Sequence, residues 1–432
     1  MNLALATLNT TPPPPILLLP FAAMLLAIAL MPFLFKHHWE RFYHWWSVIL
    51  GAVSVSFYLA GRHDGLRVFH AAHEYVSFIA LIGSLFVVAG GIHIAVKGEA
   101  KPWVNVVFLL VASIISNLVG TTGASMLLIR PWIRMNKYRI TGFHVVFFIF
   151  IVSNVSGCLT PIGDPPLFLG YLRGVPFWWV LKHCWEAWIV GIGLLLLIFF
   201  VFDYLNFLRA PKPVREKETA RETWRFDGLW NLFFLAVVLG AVFVNDPPFL
   251  RELLMAGAAL GSYFTTSKAV HRANDFTMDP IKEVAWLFLG IFATMIPALD
   301  YLQAHAASLG LKTEMQFYWA TGLLSGVLDN APTYLAFLAT AFGMSGLNLD
   351  TGMPQFIATQ SEYLIAISVG AVFFGAMTYI GNGPNFMVKS ISQRAKVETP
   401  GFFGYLICYA VPILLPVLFL VGILFFSRWR LF

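Results

Sequence analysis

Long apolar stretches alternate with short polar ones along the whole chain. Apolar runs fall near 16–35, 43–61, 74–95, 140–159 and 177–208, and again near 227–244, 249–266, 281–302, 361–381 and 401–427. Most approach the roughly 20 residues that a helix needs to cross a bilayer. Two further apolar stretches, 103–129 and 316–342, are interrupted in the middle. The first interruption reads Ser116-Asn117-Leu118-Val119-Gly120-Thr121-Thr122-Gly123 and the second Leu328-Asp329-Asn330-Ala331-Pro332-Thr333. Runs 140–159 and 361–381 each end in a helix-breaking stretch. Residues 157–168 and 375–386 both fit G-x-x-T-x-I-G-[D/N]-x-P-x-F, with Asp164 in the first and Asn382 in the second.

Composition agrees with this pattern. The 432 residues are 59% hydrophobic and 12% charged, where a globular domain is roughly a quarter charged. A soluble protein would have to hide every one of these runs, so the expected fold class is an all-α polytopic membrane protein. Cys158, Cys184 and Cys408 have apolar neighbours and no metal-ligand spacing. The net charge of +6 fits basic residues on a cytoplasmic face better than a nucleic-acid partner. No basic n-region precedes the Pro12–Pro15 run, so no cleaved signal peptide is expected. No G-x-x-x-x-G-K-[S/T] or H-E-x-x-H motif is present, so ATP-driven transport and enzymatic chemistry are not expected, nor is a bound cofactor. Trp39, Trp45, Trp46, Trp103, Trp132, Trp178, Trp179 and Trp429 lie at run ends, where aromatic rings anchor to the membrane interface.

The two halves match. Glu74 and Glu283 are 209 residues apart, as are Ser116 and Ser325; Gly157 and Gly375 are 218 apart. The extra nine residues are expected in the loop around 343–360. The matches predict an internal duplication: a first repeat over 1–208, a charged linker over 209–226, and a second repeat over 227–432. Charge placement then decides the topology. If 103–129 and 316–342 are re-entrant hairpins and the N-terminus is external, twenty of the 28 Lys and Arg are cytoplasmic. If both stretches cross fully, the split becomes eleven against seventeen, so the positive-inside rule favours hairpins. Each repeat then has five crossings, one of them a broken helix. An odd number inverts the second repeat relative to the first. Both termini are then external and the linker cytoplasmic, in a multi-pass protein of the cell (inner) membrane, in contact with lipid.

Non-helical chain survives at membrane depth only inside protein or beside a cavity. Inverted repeats would bring the four breaks together, with chain interruptions at Gly120, Gly157, Gly163, Gly381 and Gly383. They carry a set of oxygen ligands suited to a hard cation: Asn117, Thr121, Thr122, Thr160, Asp164, Asp329, Asn330, Thr333, Thr378, Asn382 and Asn385. Asp164 and Asp329 are the two carboxylates among them and the candidate Na⁺ ligands. An acid at membrane depth is a functional candidate, although either would also serve as a helix N-cap. Burial raises a carboxylate pKa towards neutrality, which would let one site hold either a proton or Na⁺. Glu74 and Glu283 could face headgroups or take part in coupling; Asp300 is expected at the interface. Asn154 and Ser153 either line the cavity or bond within their helix.

The stretches Ser116–Ser125 with Ile129-Arg130-Pro131, Thr160-Pro161-Ile162-Gly163-Asp164-Pro165-Pro166, Leu328–Thr333 and Thr378–Asn385 carry a resemblance. In them the chain resembles the NhaD-type sodium/proton antiporters of the ion transporter superfamily, which also contains arsenite and citrate/dicarboxylate carriers. The resemblance implies a scaffold, a mobile transport domain with two hairpins, a homodimer and an elevator-type motion. It also implies that Asp164 and Asp329 bind the ion and proton. The first hairpin departs from the antiporter pattern: Ser116-Asn117 and Gly120-Thr121-Thr122 stand where such proteins carry an Asp-Asn pair. The expected function is exchange of Na⁺ or Li⁺ for H⁺, with a Na⁺- or H⁺-coupled citrate or dicarboxylate carrier as the alternative. A channel or non-transporting scaffold is a third reading.

Overall fold

A computed structural model describes residues 12–95, 101–209, 225–244 and 246–427. Most of the expected linker, 210–224, lies outside them, as do Arg428, Trp429 and Arg430. The first half contains α1 (Leu18–Leu34), α2 (Lys36–Ser56), α3 (Gly65–Gly90), β1 (His93–Ala95), α4 (Pro102–Met135), α5 (Gly142–Ile151), α6 (Pro165–Leu172) and α7 (Trp179–Arg209). The second contains β2 (Arg225–Asp227), α8 (Asn231–Ala241), α9 (Leu250–Thr265), α10 (Lys268–Ala273), α11 (Asp279–Ala304), α12 (Glu314–Ser325), α13 (Asn330–Met344), α14 (Met353–Phe374), α15 (Gly383–Arg394), α16 (Phe402–Tyr405) and α17 (Leu415–Phe426). The protein is an all-α polytopic membrane protein. Among the described residues nine helices are long and apolar enough to cross a membrane. The strands form one short antiparallel pair, His93 opposite Asp227, which joins the end of α3 to the start of the second half.

One of those nine helices does not cross. α4 has 34 residues, but Asn105 near its start and Asn136 just past its end exchange side-chain hydrogen bonds of 2.8 and 3.1 Å. On a straight helix these positions would stand about 46 Å apart. Phe108 and Trp132 also stack, with ring centroids 5.4 Å apart. α4 is therefore a helical hairpin. It reverses at Gly120, where φ is +75° and ψ 156°, a conformation that a side chain disfavours. Trp132 is wholly buried between the arms, which corrects its assignment as an interfacial anchor. α12 and α13 form the second hairpin, with Phe317 and Phe337 facing each other at 6.4 Å across a break at 326–329.

The open end of the first hairpin is tied down by a buried polar cluster. Asp203 on α7, wholly buried, accepts from Asn105 Nδ2 at 2.7 Å, from both terminal nitrogens of Arg139, and from His144 Nε2 at 3.0 Å. Thr141 N donates to His144 Nδ1, so the ring carries its proton on Nε2 and donates it to Asp203. A buried carboxylate is tolerated only when its lone pairs are met in this way.

The helices fall into two bodies. In the first, α1 and α2 pack on α11, and α8 and α9 pack on α3, which also meets α11. The second holds both hairpins with α5, α6, α7, α14, α15 and α17; α5 is its most enclosed helix, with every residue from Phe143 to Val152 buried. Contacts of α3 with α4 and of α11 with α13 join the bodies. Each body draws helices from both halves. Two details differ from the sequence expectation. α3 begins at Gly65, capped by Asp64 accepting from Arg67 N at 3.1 Å, which brings Arg67 and His70 onto a helix. The loop after the second hairpin covers only 345–352, because α14 already starts at Met353, with an irregular residue at Gln360.

The hairpin makes a direct prediction. In a background lacking native cysteines, Asn105→Cys with Asn136→Cys should cross-link with a short thiol reagent. A straight α4 would leave the two thiols unreactive towards each other.

Candidate functional site

Each break adopts its path for local reasons. After Ile151 the helix gives way to a 3-10 turn at Val155–Leu159, and α6 restarts at Pro165. The turn between them is closed by Thr160, whose Oγ1 donates to Asn117 O at 2.6 Å and accepts from Gly163 N at 3.0 Å. In the second half Thr378 Oγ1 donates to Gly326 O at 2.7 Å and accepts from Gly381 N at 3.2 Å. Thr121 N donates to Gly163 O, and Asn330 N to Gly381 O. These bonds recur at the same 209 and 218 offsets that relate the two halves in sequence. Asn117 frames the first break without entering it: its Oδ1 accepts from Leu159 N and its Nδ2 donates to Ser113 O, both at 3.0 Å.

The four breaks meet at Asp164. Its carboxylate is 1% exposed. Oδ1 accepts from Thr121 Oγ1 at 2.6 Å and from Asn382 Nδ2 at 2.9 Å, and Oδ2 accepts from Asn330 Nδ2 at 2.6 Å. Those donors come from the first hairpin tip, the second-half break and the second hairpin tip. Thr121 and Asn330 are themselves 209 residues apart, so matched positions serve the same acid. Although Asp164 sits at the N-cap position of α6, its side chain makes no capping bond. Among the described residues no ion pair reaches it.

Asp329 plays a different part. It is half-buried and caps α13, with Oδ1 accepting from Ala331 N at 3.0 Å. Thr333 Oγ1 donates to Asp329 O, closing the same first turn. Both side chains thus close the first turn of helix α13, and the Asp329 charge also lies within electrostatic reach of Asp164. Thr122 lines the cleft beside Asp164 with Thr121, Gly123, Gly163 and Leu81, Ile82 and Leu85 of α3. Asn385 is a brace: its Nδ2 donates to the carbonyls of Gly375 and Thr378, and its Oδ1 accepts from Asn154 Nδ2 at 2.7 Å. Asn154 and Ser153 therefore belong to the site's wall; Ser153 O accepts from Asn382 Nδ2. A polar Asn154 within an otherwise apolar run was their sequence signal. Asn154 Oδ1 and Asn330 Oδ1 are buried acceptors with no hydrogen-bond partner among the described residues.

The glycines divide. A Cβ on Gly163 would lie 2.3 Å from Gly157 O, and one on Gly381 2.6 Å from Gly375 O. A Cβ on Gly157 would meet Gly163 O at 2.8 Å, and one on Gly120 would meet Ile162 O at 3.1 Å. These four allow backbones to touch at the crossing of the breaks. Gly383 is the first residue of α15, and a Cβ there would meet nothing within 4 Å, so it is not part of an interruption. Gly163→Ala is expected to destabilise the protein, with overpacking costing about 1–3 kcal/mol. Gly383→Ala should leave stability unchanged. Thermal unfolding in detergent checks both.

The profile of the family described as "Putative citrate transport" matches residues 11–426, nearly the whole chain. A search of curated proteins finds no match. With convergent breaks, two hairpins and this match in place, the chain belongs to that family of citrate transporter-like ion transporters.

Proposed function

We propose that this protein is a cation-coupled carrier of citrate-like carboxylates, with the coupling cation at Asp164. The observation that carries the reading is the environment of that acid. It is buried, held by three neutral side chains from three other breaks, and, among the described residues, paired with no basic residue. A carboxylate so placed calls for a positive partner, Na⁺ or H⁺. Asn330 and Asn154 add oxygens without hydrogen-bond partners among the described residues to the same region. The family description supports a carboxylate as cargo. So does the second arm of α4, which starts at Thr121 beside the cleft: a helix N-terminus favours an anion.

The matched bonds at offsets 209 and 218 support inverted repeats. Carrier function then follows from sliding the body that holds both hairpins past α3 and α11, within a homodimer. The open end of the first hairpin, with Arg134, Lys137 and Arg139, lies on the cytoplasmic side in this orientation.

Exchange of Na⁺ for H⁺ at the same acid is a second reading. It is favoured by the lining of the cleft, which contains no Lys or Arg to hold a carboxylate substrate. Proteoliposomes separate the two. The carrier reading expects labelled citrate uptake driven by an inward Na⁺ or H⁺ gradient. If both gradients give no uptake, while Na⁺ collapses a preformed ΔpH in everted vesicles, exchange replaces it.

In either assay Asp164→Asn should raise the half-saturating cation concentration about 100-fold, equivalent to ~3 kcal/mol of binding. Asp329→Asn keeps a capping side chain and should change transport less than about twofold, because Asn and Asp cap equally well. Equal losses in the two variants would contradict the assignment of the cation to Asp164.

A further inference from the structure

A second cleft lies on the face of α3 that also lines the candidate site. Arg67, His70 and Glu74 of α3 line it with Arg173, which follows α6, and with Phe292 and Met295 of α11. Leu81, Ile82 and Leu85 continue the same helical face to the cleft beside Asp164. Glu74 to Leu81 is two turns, about 10 Å at 1.5 Å per residue. Both clefts therefore open along the seam between the two bodies.

At the outer end of this seam the charges form an ordered chain. Arg67 donates one terminal nitrogen to Asp300 Oδ1 and the other to Asp350 Oδ2. Tyr58 donates its hydroxyl to Asp300 Oδ2 at 2.5 Å. Arg173 donates Nη2 to Glu74 Oε2 at 3.0 Å and Nη1 to Asp350 Oδ1. Each guanidinium is thus neutralised by one acid fixed on a long helix, Asp300 or Glu74. The remaining nitrogen of each converges on one further carboxylate, with one oxygen apiece. That carboxylate is supplied by the loop after the second hairpin, where Gly346 has a φ of +66°. The Asp350 side chain is 40% exposed, against 9% for Arg173 and 17% for Arg67.

We propose that Arg67 and Arg173 form a carboxylate-binding clamp at the mouth of the seam, filled here by Asp350 of the chain itself and taken over by a carboxylate of an arriving polycarboxylate. An incoming carboxylate presents the same two oxygens to the same two nitrogens. The frame of two arginines and two fixed acids is neutral without Asp350, so one carboxylate group of the ligand meets the same local charge that Asp350 meets. Asp350 acts as a tethered competitor that seals the seam while no substrate is present. The inference rests on the carboxylate reading of the cargo.

Its test is citrate binding to the purified full chain by calorimetry, alongside citrate uptake. Asp350→Asn should bind citrate about fivefold more tightly than wild type and lower the uptake KM in proportion, since the competing charge is gone. Adding Arg67→Gln should abolish that gain. In the wild-type protein, citrate should speed amide hydrogen exchange in residues 345–352 as Asp350 leaves the clamp. The clamp is overturned if Asp350→Asn binds no tighter, if the gain survives in the double variant, or if citrate leaves exchange in that loop unchanged. If wild type takes up no citrate but Asp350→Asn gains binding, the carrier reading falls and the clamp stands. Uptake with a KM indifferent to Asp350→Asn does the reverse.

Discussion

Asp164 holds its charge out of water, and a buried carboxylate is costly unless its lone pairs are met. Three donors meet them here, and none is on the helix that carries the acid. Thr121, Asn330 and Asn382 reach it only because the two hairpin tips and the second-half break arrive at one point. The breaks in turn need one another. Their free backbone groups are satisfied by Thr160, Thr378, Asn117 and Asn385 across segment boundaries. Glycines at 157, 163, 375 and 381 let the chains come close enough for this. The polar centre and the irregular backbone are therefore one structure, each supplying the hydrogen bonds that the other lacks at membrane depth.

The hairpins solve a related problem. A segment that enters and leaves on the same side must close its ends. The first does so with Asn105 and Asn136 bonded to each other and to a buried cluster around Asp203. Its tip is left free to contribute Thr121 and the start of a helix to the centre. The second hairpin has a different tip, four residues with Asp329 capping the returning helix. The two halves repeat one backbone plan with different side chains. Asp164 in one half is answered by Asn382 in the other, and the pair share a hydrogen bond. Asp164 is thus held by neutral donors from the other breaks.

Much of this was legible in the chain. The apolar runs, the paired motifs and the offsets located the breaks. Charge placement alone favoured hairpins for 103–129 and 316–342, because that topology puts twenty of the 28 Lys and Arg on one side of the membrane. What could not be read were relations between side chains distant in sequence. Asp164 and Asp329 look alike as acids beside prolines or a helix start; one faces three donors and the other caps its own helix. Asn154 and Asn385, 231 positions apart in sequence, become a pair only when the chain between them folds. Glu74, Asp300, Arg67, Arg173 and Asp350 read as scattered surface charges until α3, α11 and two loops bring them into one chain of ion pairs.

Sequence by itself determined the solvent of this protein, the positions where helices must break, and the matched motifs that mark those breaks. All of these follow from local composition, since hydropathy, glycine, proline and charge act over a few residues. Only the tertiary structure decided which acid receives donors from the other breaks, which one caps a helix, and which arginines share a carboxylate. Those outcomes depend on where hydrogen-bond donors from separate segments converge, and a donor's position in space is set by packing rather than by its neighbours in the chain.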